Sequence, residues 1–105
     1  MISISTHVLD TSSGEPASDV RVTLQRREGD HWAEVTEKTT DDDGRVGDLG
    51  SDLAPGSYRI RFDTGGYGNR FYPEVVVAVD LDDSSNHYHI PLLLSPFGYS
   101  TYRGS

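Results

Sequence analysis

The sequence predicts an all-β sandwich of about eight short strands. Three observations point there. Apolar residues recur at every second position through most of the 105-residue chain, the period of a half-buried strand. Gly, Pro, Asp and Asn clusters interrupt that alternation at intervals of roughly eight to twelve residues. No stretch keeps a helical period for long.

Each element follows in turn. "ISISTHVL" places Ile2, Ile4 and Val8 on one face, and Ser3, Ser5 and His7 on the other. "VRVTLQR" sets Val20, Val22 and Leu24 against Arg21, Thr23 and Gln25, with "HWAEVTEKTT" as its partner across the "REGDH" turn. "DDDGRVGDLG" reads as a tight turn and a short strand, because Asp and Gly supply turn geometry. "APGSYRIRFD" is a Pro-Gly turn followed by Tyr58, Ile60 and Phe62 on one face. "PEVVVAVDL" is β-branched and mostly apolar, and "NHYHIPLLL" alternates Tyr88, Ile90, Leu92 and Leu94 against His87, His89, Pro91 and Leu93. "GYSTYRG" is the last strand. A short helix or turn has its best place in "TGGYGNRFYP" (64–73), and the glycines weigh against even one helical turn.

The length fits one domain, residues 1–105, with no repeat or linker inside it. There is no cysteine, which suits a reducing compartment. "MISISTHVLD" has neither a basic leader nor a membrane-length apolar run, and the last three residues are not Ser-Lys-Leu, so a cytoplasmic location is expected. The formal charge of −8 argues against nucleic acid or an anionic membrane as partner. An anionic substrate would need local arginine to overcome that field.

The polar faces carry the functional signal. His7 and His89 each lie opposite apolar residues, so both point out of the sandwich if those residues form the core. A single outward histidine is ordinary. Leu9 and Leu93 extend these same outward faces, and a face mixing histidine with leucine suggests burial against another subunit. Pro91 cannot donate to a sheet ladder, so it needs an edge, a bulge or a strand end beside His89, and a bulge there could re-aim that side chain. "DDDG" lacks the ligand spacing of a calcium loop and reads as a solvated turn. His7, His87 and His89 could approach one another, yet no carboxylate or thiolate is placed to complete a metal shell, and no metal or cofactor is expected. There is no nucleophile elbow, phosphate loop or cysteine nucleophile.

"HVLDTSSGEPASDVRV" (7–22) and "YHIPLLLSPFGYSTYRGS" (88–105) resemble the two end signatures of the transthyretin family. The Tyr-Arg-Gly-Ser ending resembles its 5-hydroxyisourate hydrolase branch; the hormone-carrier branch has lysine and threonine where this chain has His7 and His89. The resemblance implies two four-stranded sheets and a homotetramer in which two dimers meet across the outer face of one sheet. It implies active sites in that inter-dimer groove, built from His7, Arg45 and His89 as catalytic residues. Tyr102, Arg103, Gly104 and Ser105 would bind the small-molecule substrate, and His87 is left as a supporting or surface residue. The implied reaction is metal-free hydrolysis in urate degradation. Alternatives are a spacer or binding module, which "GEPASDVRVTL" through "LAPGSYRIRF" also resembles, and a small-ligand carrier; neither accounts for His7, His89 and the ending together.

Overall fold

The computed structural model describes residues 1–104. Its strands are β1 (Ile2–Asp10), β2 (Glu15–Pro16), β3 (Arg21–Glu28), β4 (His31–Thr39), β5 (Arg45–Leu53), β6 (Gly56–Phe62), β7 (Val75–Leu81), β8 (His87–His89), β9 (Leu92–Ser95) and β10 (Gly98–Thr101), with one helix, α1 (Thr64–Tyr67). One sheet runs β4-β3-β6-β7, all antiparallel. The other is centred on β1, with β5 and β2 along one edge, and β8 and β9 along the other, followed by β10. Each sheet is therefore four strands wide. The number of strands exceeds eight because Pro91 divides one strand into β8 and β9, and because Glu15–Pro16 forms a two-residue strand.

The alternation in the sequence becomes the core. Ile2, Ile4 and Val8 of β1, Val22 and Leu24 of β3, Tyr58, Ile60 and Phe62 of β6, and Leu92 of β9 are all at most 1 % exposed. Side chains of this kind contribute about 1.5–3 kcal/mol each on full burial. Thr6 falls on the same inward row of β1, where its hydroxyl donates to the Ile90 carbonyl at 2.6 Å. A second hydroxyl, that of Thr101, donates to the Pro91 carbonyl at 2.8 Å. Side chains thus satisfy carbonyls where Pro91 interrupts the ladder.

One helical turn does form, against the expectation drawn from its glycines. The Asp63 side chain accepts from the Gly66 N–H at 3.0 Å, and the Thr64 hydroxyl donates to the Tyr72 carbonyl at 2.6 Å. The Tyr67 hydroxyl donates to Asp10 Oδ2 at 2.8 Å, tying the turn to the end of β1. Capping and tertiary anchors outweigh the low propensity over so short a span.

Candidate active site

β1 is the strand on which the site is built. Its outward row is Ser3, Ser5, His7 and Leu9, opposite the buried row. Arg45, the first residue of β5, pairs directly with His7. On the other side, His87 pairs with Ser3, and His89 with Ser5. Gly104 forms a bridge with His89, its N–H donating to the His89 carbonyl at 2.7 Å. Leu9 and Leu93 pair across the same face and are half-buried. The chain start, middle and end thus meet on one sheet surface.

The "DDDG" turn aims Arg45. Asp41 Oδ1 accepts from the Asp43 N–H at 2.9 Å and the Arg45 N–H at 3.0 Å, and the Asp41 N–H donates to the Arg45 carbonyl at 3.0 Å. Gly44 has a positive φ of 72° and lies against β1, where a β-carbon would collide with the Val8 carbonyl.

His89 is held from both sides. Its Nδ1 lies 2.7 Å from Ser5 Oγ. At Gly104 a β-carbon would sit 2.6 Å from His89 Cδ2, so only glycine lets the chain end pass this ring. Burial, the Arg45 guanidinium and then His7 and His87 hold the His89 pKa below the ordinary imidazole value of 6.5. The ring is therefore neutral near pH 7, with a lone pair available to take a proton. His7 Nε2 is buried with no hydrogen-bond partner among the described residues. An unpaired buried nitrogen costs about 1–3 kcal/mol and calls for an explanation such as a role in chemistry.

His7, Arg45, His89 and Gly104 are brought together, whereas Arg103 turns away. The last strand ends at Thr101, earlier than expected, and its pairing resumes in the same register at Gly104. In that register Arg103 opposes Ile90, an inward position. Its guanidinium stacks 4.5 Å from the Tyr88 ring centroid, on the side of the strand away from His89. With Gly104 facing out beside His89, the Arg103 side chain faces in. Tyr102 is exposed and borders, with Arg103 and Val79, a cleft of about 450 Å³ at the open edge of the sandwich. Ser105 lies outside the described residues. Ser5 was not singled out from sequence; its sharing the parity of His7 was the available signal.

Among the described residues, clefts of about 470, 240, 450 and 190 Å³ indent the surface, and none of these is lined by His7, Arg45 or His89. The polar group lies on an open sheet face.

The profile of the HIUase/Transthyretin family matches residues 4–104. A 5-hydroxyisourate hydrolase from Salmonella dublin is 42 % identical over 109 residues, covering 97 % of this chain and 80 % of that protein. Among solved structures, the 5-hydroxyisourate hydrolase of Klebsiella pneumoniae superposes with a TM-score of 0.88 at 33 % identity, covering all of both chains. Sea bream transthyretin in complex with thyroxine gives a TM-score of 0.89 at 29 % identity, covering 96 % of this chain and 93 % of that one. Backbone likeness does not separate the hydrolase from transthyretin.

Proposed function

The chain belongs to the HIUase/transthyretin family, and from that premise we propose that it is a 5-hydroxyisourate hydrolase of urate degradation. The product is 2-oxo-4-hydroxy-4-carboxy-5-ureidoimidazoline. The observation that carries this reading is the convergence of His7, Arg45 and His89 on one sheet face, with the His89 ring held below its ordinary pKa. His89 takes a proton from the attacking water. Arg45 stabilises charge developing on the ring carbonyl oxygen and keeps its own charge throughout. His7 lies between them on β1 and adds a second imidazole able to exchange protons at the site. These residues require neither a metal nor a covalent intermediate.

The open face calls for a second wall. We assign it to another copy of the chain, in a homotetramer whose dimers meet over β1, β8 and β9, where Leu9 and Leu93 already supply half-buried apolar surface. Gly104 admits the chain end beside His89. A substrate role for Arg103 requires its guanidinium to leave Tyr88 or to serve a neighbouring subunit. Among the described residues no helix is long and apolar enough to cross a membrane, and we place the protein in the cytoplasm as one domain spanning residues 1–105.

The test is the ultraviolet decay of freshly generated 5-hydroxyisourate with and without the protein. Accelerated decay is expected. Uncatalysed decay, together with saturable thyroxine binding, would move the assignment to a carrier.

A further inference from the structure

Ser5 and His87 have no part in the scheme above, yet they are wired to it. Ser5 is 8 % exposed, and its single hydroxyl lies 2.7 Å from His89 Nδ1 and 3.0 Å from His87 Nε2. His87 Nδ1 lies 2.6 Å from Ser3 Oγ, and Ser3 Oγ lies 3.3 Å from the Asn86 carbonyl. The chain of contacts is continuous from the half-buried His89 ring to the exposed His87 ring and beyond. We propose that Ser5 and His87 form a proton relay that positions His89 and lets it act first as base and then as acid; this rests on the hydrolase reading above.

The polarity follows from counting protons. The Asn86 carbonyl can only accept. With the Ser3 hydroxyl donating to it, His87 donates Nδ1–H to Ser3, and His87 Nε2 is left to accept. The Ser5 hydroxyl then donates to His87 Nε2, and Ser5 Oγ accepts Nδ1–H of His89. Every link points one way, and the lone pair of His89 remains on Nε2. When Nε2 takes a proton from water, the His89 Nδ1–H bond breaks as a bond to Ser5 Oγ forms. The original Ser5 O–H bond breaks as His87 Nε2–H forms. One proton has left water, His89 is neutral with its proton on Nε2, and the positive charge rests on His87. The charge has moved from a ring beside Arg45 and His7 to an exposed one, where water solvates it. His89 Nε2–H can then donate to the leaving nitrogen, and the relay runs back. The charged and titratable groups facing this path are Arg45 on β5, His7 on β1, and the two histidines themselves.

The experiment combines kinetics with ¹⁵N spectra of the imidazoles. In the wild-type protein at neutral pH, His89 is expected with its proton on Nδ1. Ser5→Ala should lose that preference and lower kcat roughly 10- to 100-fold, the usual cost of removing a histidine's orienting partner, with KM unchanged. Ser5→Thr, which keeps the hydroxyl, should restore both. His87→Ala should lower kcat comparably and be partly rescued by added imidazole, which a merely structural role would not permit. A wild-type His89 protonated on Nε2, or unchanged kcat in both Ser5→Ala and His87→Ala, overturns the relay. If the wild-type chain does not hydrolyse 5-hydroxyisourate, the parent reading falls; a Ser5-dependent Nδ1 tautomer would still support the positioning, and its absence would refute it.

Discussion

Gly104→Ala isolates the contact between the chain end and His89. The added methyl carbon would lie 2.6 Å from His89 Cδ2, whereas ordinary contact begins at 3.4 Å, so the ring or the chain must give by 3.4 − 2.6 = 0.8 Å. The ring is the part that can move, because the Gly104 backbone is fixed by its 2.7 Å hydrogen bond to the His89 carbonyl. Ser5 stands on the other side of the ring, so a ring pushed off Gly104 is driven against it and must tilt, which spoils the alignment of the 2.7 Å contact between Nδ1 and Ser5 Oγ. Gly104 does not have a positive φ, so alanine meets no backbone strain there. A misplacement of about 1 Å in a reacting group can cost 100-fold, so kcat should fall roughly 10- to 100-fold. Stability should change by no more than about 1 kcal/mol, since the narrower unfolded ensemble of alanine offsets part of the cost of moving the ring. The assay is ultraviolet decay of 5-hydroxyisourate alongside a thermal melt. Wild-type kcat with an unchanged melt would show that the ring tolerates the methyl group and that glycine is not needed at this position. A collapsed melt would show that the chain end serves stability instead.

The remaining predictions address other parts of the site. His89→Ala should cost roughly two to four orders of magnitude in kcat, the range of a lost general base, while the melt changes little because the ring faces outward; steady-state rates decide this. Arg45→Lys should also lower kcat, because lysine keeps the charge and loses the planar fork, and an unchanged rate would remove Arg45 from the oxyanion role. The pH dependence has a definite sign. With the folded His89 pKa below 6.5, the unfolded chain binds more protons just under that pH, so stability is full above 6.5 and falls as pH drops towards the folded value. Activity should lose its base over the lower part of the same window, and a pH profile flat from 7 to 4 would contradict it. Thr6→Val should destabilise by about 1–3 kcal/mol, because the Ile90 carbonyl loses its buried donor, and chemical denaturation reads this directly.

Much of the fold was legible because a period of two is a local property. Any eight residues of β1, or the run from Tyr88 to Leu94, reveal which side chains share a face, and burial follows that assignment except at Ser5 and Pro91, outward residues that are themselves buried. The same alternation placed His7 and His89 outward. Pro91 announced a break in its strand because a missing N–H is a covalent fact. The helix at 64–67 was harder to foresee, since its support comes partly from Asp10, far away in the chain.

What sequence alone determined, then, is the alternation, the turn chemistry and the outward histidines, because each depends on bonds and sterics within a few residues. Which strand lies beside which, and in what register, is decided only when the sheet assembles. That pairing set His7 against Arg45, and Ser5 between His87 and His89. It also set Gly104 against His89 and so turned Arg103 inward onto Tyr88. A shift of one residue in any of these pairings would reverse the faces without changing a letter of the sequence, and long-range burial is the force that fixes them.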